Sequence, residues 1–148
     1  MRNSVPARAT PQTPAEEEQF KALVVATILD SRTEEALVML CRHYRVSVPK
    51  LGVGVLEGRT KGVAAVYSLQ KKEILAAKRE YLYDPFVMVH EFYHHLRSVS
   101  GKHRGTERQA DAFANEFVES YKKAAAKANA LRQMGWSLTG TAAKKGGG

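Results

Sequence analysis

Two neighbouring stretches decide the reading: DPFVMVHEFYHHLRSV at residues 84–99 and GTERQADAFANEFV at residues 105–118. Each carries its own helix start. In the first, Asp84 stands where a capping side chain belongs, and Pro85 falls at the first helical position, where a missing N–H is no loss. In the second, Thr106 followed three residues later by Gln109 matches a capping box. Phe86, Val87, Val89, Tyr93 and Leu96 make the first helix largely buried, and Ala110, Phe113, Ala114, Phe117 and Val118 form the apolar stripe of the second. Gly101 and Gly105 bracket the reversal between them. The second helix is predicted to continue through an alanine- and lysine-rich stretch to about Met134, with Gly135 as its left-handed stop.

The first helix contains His90-Glu91-Phe92-Tyr93-His94, an HExxH motif. Residues four apart share a helix face, so both imidazoles can reach one cation. Glu91 adjoins His90 and can lean over the same cation without binding it, ready to take a proton from water held there. Two neutral imidazoles suit zinc, one ion per chain. A hydrolytic zinc site keeps three protein ligands and one open position. His95 points about 100° away from His94 around the helix and is a poor third ligand. Glu107 and His103 remain. Glu107 begins the next helix, and Asp111, four residues on, shares its face. Asp111 can accept a hydrogen bond from the outer nitrogen of a ligand histidine and so fix its tautomer. Taken singly, Glu107 is an ordinary first-turn acid and Asp111 an ordinary solvated one. The HExxH just upstream weighs toward ligation.

The rest of the chain supplies the frame. Residues 1–13 hold Pro6 and Pro11 among small polar neighbours and are predicted as a disordered arm. Pro14 followed by acids opens a helix with Phe20, Leu23, Val24 and Ile28 on one face. Residues 30–32 break it, and a second helix carries Leu37, Leu40, Cys41 and Tyr44. Valine and glycine then take over. Gly52-Val53-Gly54 lacks the helix start and lysine of a phosphate loop and reads as a strand with a bulge or turn. Residues 63–69 and 74–78 flank a short polar turn and predict an antiparallel hairpin. The expectation is one α+β domain over residues 14–134, helices packed on a small antiparallel sheet, with residues 135–148 as a flexible, basic, glycine-rich tail.

Several classes drop out. A single cysteine, Cys41, forbids an intrachain disulfide. The N-terminus lacks the apolar core of a secretory signal. The longest apolar stretch, residues 22–29, falls far short of the roughly 18 residues a spanning helix needs. A cytoplasmic protein without a membrane partner is expected. Of the net charge of +8, six units sit on Lys122, Lys123, Lys127, Arg132, Lys144 and Lys145, with no acid after Glu119. Such a segment can meet nucleic acid or an acidic partner through counterion release, or simply keep a helix solvated.

HEFYHHL followed by ERQADAFA resembles the gluzincin metallopeptidases, which pair HExxH with a downstream glutamate on a second helix. The short spacing is similar in particular to the ImmA/IrrE-like peptidases and the small archaeal minigluzincins. The resemblance covers about residues 60–120. It implies a zincin-like fold, zinc held by His90, His94 and Glu107, Glu91 as general base, and Asp111 ordering a ligand histidine. It further implies hydrolysis of a polypeptide held as an added strand on a sheet edge, for which residues 73–78 are the expected strand. Tyr83, Tyr93 and His103 are the candidate oxyanion donors. By likeness to the minigluzincins, the tail would fill the cleft. ImmA/IrrE-like sequences commonly carry asparagine where Asp111 stands, and the metzincin pattern fails because its third histidine would fall at Ser100. The competing expectation is a regulatory protein- or nucleic-acid-binding module with a structural or weakly active zinc site. Retention of Glu91 favours the enzyme, since a structural site needs no general base.

Overall fold

The computed structural model describes residues 12–56, 62–99, 101 and 105–135. The expected arm and tail, and His103, fall outside these residues, apart from Gln12, Thr13 and Gly135. The elements in chain order are α1 (Pro14–Leu29), α2 (Thr33–Tyr44), β1 (Lys50–Val53), β2 (Ala65–Ser68), β3 (Glu73–Ala76), a 3-10 turn (Arg79–Tyr83), α3 (Pro85–Val99) and α4 (Glu107–Gln133). The architecture is α+β, four helices and a three-stranded sheet. No described helix is long and apolar enough to cross a membrane.

The helix boundaries follow local chemistry. α1 starts on a capping box as well as a proline: Glu16 N–H donates to Thr13 Oγ1 at 3.1 Å, and Thr13 N–H donates to Glu16 Oε1 at 3.0 Å. α2 ends on Arg45 in the left-handed region, φ 62°. Thr33 Oγ1 donates to the carbonyl of Leu82, tying the start of α2 to the 3-10 turn.

α1 and α4 lie antiparallel: Lys21 Nζ is 2.9 Å from Glu116 Oε1, and Lys123 Nζ is 2.6 Å from Glu18 Oε2. Such exposed pairs are worth at most about 1 kcal/mol each. The holding force is apolar: Phe20 meets Phe117 edge-on at 6.4 Å, and Val24, Val25 and Ile28 are buried beside it. Leu23, expected on that face, is exposed, and Val25 takes its place. α1 packs against α2 as well as α4, which turns its buried face toward the 24–25–28 row.

The sheet corrects the expected all-antiparallel arrangement. β2 and β3 do form the antiparallel hairpin, Ala65 opposite Ala76 through Ser68 opposite Glu73. β1 then adds in parallel to the other side of β3, Lys50 opposite Glu73 through Val53 opposite Ala76. The order is β1-β3-β2, a mixed sheet with β3 in the middle. Apolar alternation marks where strands are; it does not say which strands become neighbours or in which direction, since that depends on the path of the connection. One expectation falls with it. β3 has both edges occupied, so residues 73–76 cannot receive a substrate as an added strand. Among the described residues, the open edges belong to β1 and β2.

The pleat puts Ala65 and Tyr67 on the same face as Ile74 and Ala76, all buried. α3 packs there. Met88, Val89 and Phe92 are fully buried, and Phe92 joins Tyr44, Phe113 and Phe117 in an aromatic layer between α3, α2 and α4. α3 is therefore held on both sides, by the sheet and by α4.

Candidate metal centre

Two helix ends fix the site. Val87 N–H donates to Asp84 Oδ1 at 3.2 Å, which caps α3. Gln109 N–H donates to Thr106 Oγ1 at 3.0 Å, and Thr106 N–H to Gln109 Oε1 at 3.0 Å, the capping box of α4. α3 and α4 run antiparallel with the fully buried Ala110 and Ala114 in α4, small enough to let the helices approach.

That approach brings His90, His94 and Glu107 together. His90 Nε2 is 2.9 Å from Glu107 Oε1, and His94 Nε2 is 3.1 Å from Glu107 Oε2. One potential ligand atom from each residue lies within 4.8 Å of the others, a group able to hold a metal ion. The rings are sheltered, His94 fully buried and His90 12% exposed, while Glu107 is 68% exposed. The imidazoles are set in the protein, and the carboxylate closes over them from the solvent side.

Asp111, one turn along α4, has Oδ1 2.9 Å from His90 Nδ1. A carboxylate only accepts, so a neutral His90 gives its ring proton to Asp111 and turns the Nε2 lone pair toward Glu107. At 2.9 Å the Nε2 atom and the carboxylate oxygen are bridged either by a second ring proton or by a cation held between them. The donor set could hold a cation on the spot where His90, His94 and Glu107 converge. Glu91 is buried beside it, with Oε2 3.8 Å from His90 Nε2.

His95 does something else. Its Nε2 is 2.7 Å from the carbonyl of Ser47 and its Nδ1 is 2.9 Å from the Tyr67 hydroxyl. A carbonyl only accepts, so Nε2 carries the hydrogen and Nδ1 accepts from Tyr67. Burial lowers the His95 pKa; the Ser47 bond opposes that, and the Lys72 charge adds to it. Burial likewise raises the Tyr67 phenol. This neutral pair ties α3 to β2 and to the loop after α2. Nothing local in the sequence announces it, because the partners stand 28 and 48 positions away.

Of the candidate oxyanion donors, Tyr83 and Tyr93 are among the described residues. Tyr93 Oη points to Gln109 Oε1 at 3.3 Å. Tyr83 lines a cavity of about 330 Å³ at the start of α2, with Arg32, Glu35 and Arg79. His103 lies outside the described residues. Cys41 is buried, which pushes its thiol up to about 11 and takes it out of any nucleophilic role.

Comparison with protein-family models, curated proteins and solved structures finds no match.

Proposed function

We propose that the chain is a zinc-dependent metallopeptidase of the gluzincin kind, with a zincin-like fold, acting on a polypeptide. The observation that carries this reading is the convergence of His90, His94 and Glu107 with Glu91 buried at their side. Two imidazole nitrogens and one carboxylate are a donor set typical of hydrolytic zinc. Bound there, zinc would bring the pKa of a water down to about 7 and polarise a carbonyl. The chain's own contribution is proton handling and orientation. Glu91 takes the proton of the attacking water on its carboxylate and returns it to the leaving amine. Asp111 holds the His90 tautomer, and the capped start of α4 aims Glu107.

The alternative, a binding module with a structural zinc, draws on the basic half of α4. Two of its cations are already engaged, Lys123 with Glu18 and Lys122 with Glu119. A structural site also closes with four protein ligands and has no use for Glu91. The test is zinc content measured beside hydrolysis of a peptide library, with and without chelator. Glu91→Gln should keep zinc and fold but lower the rate by roughly 10²–10⁴. Unchanged turnover in zinc-loaded Glu91→Gln excludes Glu91 as the base, and a stoichiometrically zinc-loaded chain that cleaves no peptide favours the binding module.

A further inference from the structure

Glu107 has to reach two histidines on another helix from the first residue of its own. Its side chain is 68% exposed, so the placement of its helix start bears directly on where the carboxylate lies. The feature under this helix start is the ring of Tyr93. Gly105 has φ +83°, and a Cβ there would stand 2.5 Å from Tyr93 Cε2 and 3.0 Å from its hydroxyl. The backbone lies against the ring at a distance, and in a conformation, that a side chain at position 105 would strain. The Tyr93 hydroxyl donates to Gln109 Oε1 at 3.3 Å, and that oxygen also accepts the Thr106 N–H of the capping box at 3.0 Å. One side chain of α3 therefore touches the residue before the cap of α4 and the acceptor within the cap. Phe113, 5.2 Å from the ring centre, closes the next turn.

We infer that Tyr93 is a positioning residue for Glu107: its ring on Gly105 and its hydroxyl on Gln109 set where α4 begins, and so bring the Glu107 carboxylate to His90 and His94. The inference rests on the reading that these three residues hold a metal. Tyr93 immediately precedes His94 in one rigid helix, so the start of α4 is registered against the same element that carries both histidine ligands. Metal–ligand distances tolerate only about ±0.2 Å. The capping box and the buried alanines fix the direction of α4, and the ring against Gly105 adds a contact at its very first turn. The hydroxyl thereby has an occupation other than stabilising an oxyanion.

The experiment is zinc competition against a chromogenic chelator, with the cobalt(II) absorption spectrum of each variant and its thermal unfolding in chelator. Tyr93→Leu and Gly105→Ala are each expected to weaken zinc roughly 10–100-fold, in the range of groups that orient a ligand. Both should shift the cobalt bands, which a purely fold-stabilising role would leave in place. Tyr93→Phe keeps the ring and should lose only a few-fold. In the Tyr93→Leu background, Gly105→Ala should add only a few-fold, because the clash is gone and backbone strain alone remains. If Tyr93→Leu does not fold, Gln109→Leu, which removes the shared acceptor, should still weaken zinc several-fold. Folded variants that bind zinc within two-fold of the parent overturn the inference, as do effects of Tyr93→Leu and Gly105→Ala that simply multiply. So does a Tyr93→Phe variant with parental zinc affinity and a lowered kcat, which would make the hydroxyl a catalytic donor. A parent chain that takes up no stoichiometric zinc fails before any substitution is made, and overturns the metal reading together with the inference.

Discussion

Replacing Tyr67 with phenylalanine removes one oxygen from the clamp that holds α3 on the sheet. The ring stays, so the apolar packing of β2 is kept and no cavity larger than a hydroxyl opens. The His95 Nδ1 acceptor, in a fully buried side chain, loses the O–H that points at it from 2.9 Å. The ring cannot escape by changing tautomer, because Nε2 must keep its hydrogen for the Ser47 carbonyl at 2.7 Å. It does not escape by protonation either, because burial and the Lys72 charge work against the cation. A buried acceptor left without a donor costs about 1–3 kcal/mol. For a chain of this length each kcal/mol moves Tm by about 2–4 °C, so Tyr67→Phe should melt about 2–12 °C lower. The assay is thermal and urea unfolding followed by far-ultraviolet circular dichroism in chelator, so that metal binding does not mask the change. A double-mutant cycle sharpens it. In a His95→Leu background the orphan is the Tyr67 hydroxyl itself, so Tyr67→Phe there should be neutral or stabilising. The coupling should be at least about 1 kcal/mol. A loss under about 0.5 kcal/mol, or the same loss in both backgrounds, would refute the hydrogen-bonded clamp.

Three substitutions test the proposed zinc ligands by equilibrium zinc competition. Glu107→Ala should weaken zinc most, Asp111→Asn by roughly 10–100-fold, and His103→Ala hardly at all; the reverse order for Glu107 and His103 sinks the ligand set. Cys41 should resist alkylation, since a buried thiol raised to about 11 is thiolate in only about one molecule per thousand at pH 8. Iodoacetamide should modify the native chain at least 100-fold more slowly, roughly, than the urea-unfolded chain, and equal rates would show that Cys41 is not buried as described.

The parts of this protein that could be read from sequence are those governed by neighbours in the chain. Asp84 with Pro85, and Thr106 with Gln109, state where two helices start, because a cap is a contact across three residues. The four-residue spacings of His90 with His94 and of Glu107 with Asp111 state which side chains share a face. Thr13 and Glu16 make the same kind of statement beside the proline that opens α1. What could not be read depends on distant partners. β1 joins β3 across more than twenty residues, so the sheet is mixed and β3 is closed to a substrate strand. Leu23 yields to Val25 because α2 and α4 jointly choose the buried face of α1.

His94 and His95 bring the two kinds of information together. They are adjacent, both fully buried, and about 100° apart around α3. Helix geometry alone says that they cannot serve the same cation. It does not say what waits on the second side, and there the fold supplies a phenol from β2 and a carbonyl from the loop after α2. A metal ligand is useful only if the helix that carries it cannot rotate, and a rotation of α3 that moves His94 from Glu107 must also pull His95 from Tyr67 and Ser47. The small sheet thus bears on the candidate metal site: the start of α4 presents Glu107 from one side, and Tyr67 of β2 holds α3, with His90 and His94, from the other.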